Sequence, residues 1–327
     1  MSSCRGRSDG IDQFRGLLVV LVILGHLFEI TGQHPFITWL GFGFRMPLFI
    51  GLSGYLFNLD RARAEPLLVL AQRYSRIVVP WMVACTVYLS LADPTIWLAP
   101  SQLISRPPYH LWFVPVMLVF IIVCRESGLR PRYLLAIAFP VSIVSMYVFG
   151  VGHQINQFYD WVPDRRYFIF PLYFVFGVCV SRRTINRELR IACWALTLIG
   201  MVWWAYLYRH PSRFLEITAE LLLCVPLIYL IPWISGLNIR LAALRAVGRS
   251  SLFFYLWHPL VMALWIAAGI SDILHILILS LISLTIIRAS FKRVPVLCNL
   301  LGICTGKKSF LPRGDKSSVE LAPSAAK

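Results

Sequence analysis

Charge is what this 327-residue chain has least of: 14% of its residues are Asp, Glu, Lys or Arg, against about 25% in soluble domains. Acid is scarcer than base, with 15 Asp and Glu to 31 Lys and Arg. No Walker A, HExxH or dinucleotide fingerprint occurs, and the one GxSxG string, Gly6 to Gly10, has no strand before it to make a nucleophile elbow. The elbow hydrolases, P-loop NTPases, zincin proteases and Rossmann dehydrogenases are therefore without their signatures in context. The eight cysteines form no CxxC pair and mostly lie inside apolar runs. Neither a disulfide framework nor a zinc site is expected, and no metal is assigned. No internal repeat and no soluble domain is visible.

What is present is hydrocarbon. Hydrophobic residues make up 58% of the chain and aromatics 14%, and the mean hydropathy is +0.71. That composition calls for a bilayer as solvent. A span needs about 20 apolar residues. The runs that meet or approach this are 14–31, 36–58, 77–98, 110–124, 133–151, 167–181, 190–207, 214–232, 251–268 and 273–289. They are continuous and do not alternate with period two, which predicts helices and not a barrel. The expected fold is an all-α integral membrane bundle of about ten transmembrane helices. The first run follows Arg5 and Arg7 but leads into Glu29, Gln33 and His34, not into a cleavage site. It reads as a permanent span.

Orientation follows from where the basic residues fall. With an inner N-terminus, 25 of the 31 Lys and Arg lie on the inner side, and five, Arg106, Arg165, Arg166, Arg209 and Arg213, on the outer. Arg45 lies within a span. Both termini are thus expected in the cytoplasm of a multi-pass protein. The basic residues sit in short loop clusters and form no stripe, so nucleic acid is not an expected partner and the lipid bilayer is. Residues 1–291 read as the transmembrane domain and 292–327 as a cytoplasmic tail, largely disordered.

Ionisable groups inside spans are costly, which makes each a functional candidate. Arg15 and His26 are eleven residues apart, three turns plus about 20° of a helix, so they share one face some ~16 Å apart. Glu29 follows one turn beyond His26 on the same side. Arg45 enters the second span from the opposite end, roughly 14 Å deep. The depths of His26, Glu29 and Arg45 converge, and Glu29 and Arg45 are expected to compensate each other. A histidine beside a carboxylate can take a proton from a hydroxyl at neutral pH, or act as a nucleophile itself. The bland alternative is a polar network that only packs helices.

Other segments are weaker alone. Arg73 and Arg76 share a helix face at an inner mouth, where guanidinium groups suit phosphates and equally suit membrane anchoring. His110 and Trp112 open one span, and Tyr255 and His258 share a face one turn apart in another.

Taken together, these segments resemble acyltransferase family 3 of bacterial membrane proteins. The resemblance rests on Ile11-Asp12 through Arg15-Gly16 with His26 eleven residues beyond Arg15 (R-x10-H), on Met46-Pro47-Leu48-Phe49 through Ser53-Gly54-Tyr55-Leu56, on Arg73-x-x-Arg76 before Pro80, on His110-x-Trp112-Phe113, and on Tyr255-x-x-His258. It implies transfer of an acyl group, usually acetyl from acetyl-CoA as co-substrate, to hydroxyls of sugars or other envelope molecules. It also implies a bacterial inner-membrane location and no bound cofactor. Arg15 and His26 would be central with Glu29, and Arg73 and Arg76 would face the donor. Asp12, Arg45, His110, Trp112, Tyr255 and His258 would support the site or the acceptor. The Phe44–Phe49 segment is similar to the fucose 4-O-acetyltransferase branch, which acetylates lipo-chitooligosaccharide nodulation signals. The competing class is a transporter or flippase of sugars or lipid-linked glycans, which would also bury charge at mid-membrane. It has no use for acetyl-CoA.

Overall fold

The computed structural model describes residues 9–92, 102–105, 107, 110–151, 163–181, 183–237 and 241–303, and every regular element among them is a helix. The tail from Lys307, most of 99–109 and 152–166, and Arg5, Arg7, Arg106, Arg182 and Arg240 lie outside the described residues.

The chain runs through α1 (Asp9–Thr31), α2 (Pro35–Phe42), α3 (Arg45–Leu56), α4 (Leu59–Ala64), α5 (Leu67–Ala92) and α6 (Gln102–Ser105). It continues through α7 (Phe113–Glu126), α8 (Pro131–Phe149), α9 (Arg166–Ile169), α10 (Pro171–Val180), α11 (Arg187–Leu207) and α12 (Arg213–Tyr229). Last come α13 (Ile231–Ser235), α14 (Ala242–Arg249), α15 (Ser251–Ala267), α16 (Ile273–Phe291) and α17 (Pro295–Leu300). Local chemistry sets many of these ends. Pro35, Pro131, Pro171 and Pro295 occupy first-turn positions, where a missing N–H is harmless. Asn186 and Asp272 cap α11 and α16 by accepting the N–H groups of Leu189 and His275, each at 2.9 Å.

Six helical segments are long and apolar enough to cross a membrane: α1, the α2–α3 pair, α5, α8, α11 and α16. α14 and α15 would make a seventh as one broken span, bent by 89°. Each of the ten expected runs contains a helix, but α7, α10, α12 and α15 fall short of 18 residues. Two expectations shift in detail. The 36–58 run is broken between α2 and α3, where the Trp204 ring occupies the space a side chain on Gly43 would need. The 77–98 run begins ten residues early, at Leu67.

The outer surface is what lipid requires. On α11, Trp194, Leu198 and Val202 recur every fourth residue and are 44%, 65% and 63% exposed, while Cys193, Thr197, Gly200 and Trp204 of the same helix are buried. In water such a patch would be a liability. In a bilayer it is the solvated face.

α1 is the central element, packed against α2, α3, α13, α14, α15 and α16. Its approach to α14 is very close: a side chain on Gly16 would strike the Leu244 carbonyl, and one on Gly248 the Asp12 carbonyl. Polar contacts tie the loops into two groups. In one, Arg63 donates to the Cys124 and Leu129 carbonyls at 2.7 Å, and Arg125 to those of Ala62 and Glu65 at 2.9 and 3.0 Å. Asp9 likewise accepts from Arg245 and Arg249 at 2.8 and 3.1 Å, and Arg288 donates to Ser250 at 2.7 Å. In the other, the Asp164 N–H donates to the Ser105 carbonyl at 2.7 Å and Arg213 to the Tyr147 carbonyl at 3.0 Å.

Cys85, Cys124, Cys179, Cys193 and Cys224 are free. Cys298 is disulfide-bonded. Scattered cysteines without a spacing signature give no sign of such a bond.

Candidate active site

Three imidazoles meet where α1, the start of α7 and α15 converge. Ring centroids are 5.3 Å apart for His26 and His258, 5.4 Å for His110 and His258, and 5.9 Å for His26 and His110. His26 is partly accessible, with 28% of its side chain exposed, and its Nδ1 lies 3.1 Å from a Glu29 carboxylate oxygen. That carboxylate accepts from Nδ1–H, so Nε2 is the nitrogen left for chemistry.

Pro259 explains how the other two rings are held. A proline inside a helix removes one N–H, and here the carbonyl deprived of it is that of Tyr255. The His258 Nδ1 lies 2.9 Å from the Tyr255 carbonyl and 2.9 Å from that of Phe254. Both partners are acceptors, so Nδ1 carries the proton. The next carbonyl, Leu256, accepts from Tyr88 at 3.0 Å and from His110 Nε2 at 3.2 Å. The Leu260 N–H donates to the Tyr88 hydroxyl at 3.1 Å. Tyr255 closes the arrangement by donating to the His110 carbonyl, and its ring lies 5.4 Å from the His110 ring. Among the described residues, no three His, Cys, Asp or Glu side chains are placed to share a metal ion.

Arg15 is elsewhere, toward the other end of α1. With Ser53, Tyr74, Phe113, Met117 and Ile121 it lines a mostly apolar cavity of about 190 Å³. Phe113, which lines the cavity, packs at 4.9 Å on Phe49 and 5.6 Å on Tyr255. Tyr74 stands on α5 between Arg73 and Arg76. Arg73 pairs with Glu65, which also accepts from Arg61 at 2.6 Å. Glu65 lies between α4 and α5, and the bond from Arg61, aided by Arg73, holds its carboxyl below the usual carboxylate range. Arg76 is half-buried nearby.

The remaining candidates fall at three other places. Arg45 is 5% exposed and donates to the Leu21 carbonyl at 3.2 Å. Its guanidinium fills the notch left by Gly25 and Gly41 and lies 5.0 Å from the Phe42 ring. The Glu29 carboxylate is directed to His26. Asp12 is buried and pairs with Arg249 at 3.2 Å. It fastens α1 to α14, about 21 Å along the helix from His26. Trp112 stacks on Phe170 at 5.4 Å and carries the Arg166 guanidinium at 4.5 Å. Arg166 in turn pairs with Asp164 at 3.0 Å. The adjoining Arg165 is brought down to about 10, chiefly by burial.

Sequence reasoning missed Tyr88, Glu216, Glu220 and Tyr173. Glu220 is 3% exposed and accepts from the Tyr173 hydroxyl at 2.6 Å. Glu216 is 1% exposed. Two glutamates four residues apart inside an apolar run were the available signal. Tyr88, one aromatic among many in an apolar helix, gave none.

Comparison with known proteins adds a family. No solved structure matches the chain. An amino-acid racemase of Enterococcus faecalis is 25% identical over 360 residues, covering 98% of this chain and 50% of that protein. The chain thus spans about half the length of this curated relative. The acyltransferase domain of family 3 matches residues 8–289, an interval that holds the imidazole cluster, the cavity at Arg15 and the pair Arg73 and Arg76, and the chain belongs to that family.

Proposed function

We propose that this protein is a membrane O-acetyltransferase that moves acetyl from acetyl-CoA to a sugar hydroxyl. The acceptor is fucose on a lipo-chitooligosaccharide signal or a related surface glycan. The observation that carries the reading is the part-exposed His26 with Glu29 on its Nδ1, on the same helix as an arginine-lined apolar cavity. Glu29 keeps the proton on Nδ1 and stabilises the cationic ring that forms when Nε2 takes up a proton or an acyl group. The cavity suits the apolar reach of a thioester arm, with Arg15 at its lining and Arg73 and Arg76 beside Tyr74 for donor phosphates. His110, His258, Tyr88 and Tyr255 fix the far side of the cluster.

The same reading places both termini in the cytoplasm of a bacterial inner membrane, with about ten crossings. The grouping of loop contacts supports it. The contacts around Arg63, Arg125, Asp9 and Arg288 join segments expected inside, and those around Asp164 and Arg213 join segments expected outside.

The test is acetyl transfer from radiolabelled acetyl-CoA in membranes carrying wild-type or His26→Ala protein, with fucosylated and non-fucosylated chitooligosaccharide as acceptors. Label on the fucosylated acceptor, lost by His26→Ala at equal protein level, is the expected result. Wild-type membranes that label no glycan would overturn the reading in favour of a transporter.

A further inference from the structure

His258 is one of the buried residues that keep an unpaired side-chain polar atom among the described residues. Its Nδ1–H is committed to the Phe254 and Tyr255 carbonyls, which leaves Nε2 as a bare lone pair. That nitrogen is buried and has no hydrogen-bond partner among the described residues, and the residue as a whole is 0% exposed. Packing an imidazole acceptor without a donor is unfavourable, and native structures keep such atoms rarely. Its ring is also the nearest to His26 of the two other imidazoles, at 5.3 Å between centroids with a tilt of 35°.

The chemistry of acyl transfer supplies a use for it. If His26 Nε2 accepts the acyl group, that nitrogen can no longer take a proton, and its Nδ1 is held by Glu29. A second base must then receive the proton of the incoming hydroxyl. We infer that transfer runs in two steps, with His26 Nε2 as acyl carrier and His258 Nε2 as the base that deprotonates the acceptor, an inference that rests on the acetyltransferase reading above.

In the first step the His26 Nε2 lone pair attacks the thioester carbonyl, a C–N bond forms, the C–S bond breaks, and coenzyme A leaves as thiolate. In the second the acceptor oxygen attacks the acyl carbon and the C–N bond breaks. The hydroxyl proton passes to His258 Nε2, and His26 is returned as it began. The proton on His258 then leaves to neutralise the thiolate, directly or through solvent. Burial of the base serves this sequence. An acyl-imidazole is prone to hydrolysis, and a base closed to water does not activate water against it. A sugar hydroxyl would enter on the exposed side of His26.

The experiment separates the two half-reactions in full-length protein reconstituted in lipid nanodiscs. The first is followed by isotope exchange between acetyl-CoA and labelled free coenzyme A. The second is followed by acetyl transfer to fucosylated chitooligosaccharide. The key variant is His258→Asn, which keeps a side-chain N–H for the two carbonyls and removes the Nε2 base. His258→Gln is a second variant against misfolding, and each is checked for an unfolding midpoint like that of the wild type.

We expect His258→Asn to retain exchange and to lose transfer by on the order of 10²-fold or more, the usual scale of general-base catalysis. Acid-labile label should accumulate on the protein, and His26→Ala should lose both activities. Wild type that transfers without exchanging would overturn the two-step route. So would His258 variants that are folded and either keep transfer or lose both activities alike. Wild type that neither exchanges nor transfers would instead remove the acetyltransferase reading itself.

Discussion

A carboxylate inside a bilayer is expensive wherever it sits, and Glu220 is 3% exposed with the Tyr173 hydroxyl at 2.6 Å. Tyr173 is itself fully buried. Replacing it by phenylalanine preserves shape and removes the donor, leaving the acid unsatisfied. Tyr173→Phe should therefore destabilise the protein by about 1–3 kcal/mol, read as a lowered unfolding midpoint in detergent. An unchanged midpoint would mean that Glu220 is satisfied by another group. The pair also shows what a sequence conveys at this scale. His26, Glu29, His110 and His258 were legible as polar residues in the wrong solvent, and the first two by helical spacing alone. That His110 and His258 close on His26 was not, because it depends on where α7 and α15 are packed. Asp12 was legible as a candidate but not as a packing residue, since its partner Arg249 is 237 positions away in sequence.

At the scale of the element, α15 is organised around a defect. Pro259 deprives the Tyr255 carbonyl of its helical donor, and His258 takes that place. Leu256, one residue on, holds Tyr88 and His110. Pro259→Ala should restore a regular helix and draw the Tyr255 carbonyl back into it. We expect the unfolding midpoint to hold or rise, because an interior proline costs a helix about 3 kcal/mol. Acetyl transfer should fall, since small displacements of catalytic groups cost up to on the order of 10²-fold. Full activity in a stabilised variant would show that the proline does not position the cluster. The dipeptide His258-Pro259 was visible in the sequence, and its consequence follows from helix geometry. The break between α2 and α3 was less legible, because what stands against Gly43 there is the Trp204 ring from another helix.

For the whole molecule, the strongest argument joins charge to contact. Twenty-five of 31 basic residues fall on one expected side, a bias that membrane insertion imposes on short loops. The structure pairs loops within that side: Arg63 reaches the end of α7, Arg125 reaches back to α4, and Asp9 meets Arg245 and Arg249. These contacts hold the α3–α4 turn beside the α7–α8 turn, and the start of α1 beside α14. On the ten-crossing reading, short helices such as α7 and α10 cross despite having 14 and 10 residues, α10 with α9 before it. A cytoplasm-active reporter fused after Phe57 or after Arg183 should be active, and a periplasm-active one silent. A fusion after Gly150 should give the reverse. If the Phe57 and Arg183 fusions instead report opposite sides, one of the short helices between them turns back without crossing. The cavity at Arg15 and the arginines at 73 and 76 would then keep their mutual contacts but lose the argument that they open to the compartment holding acetyl-CoA.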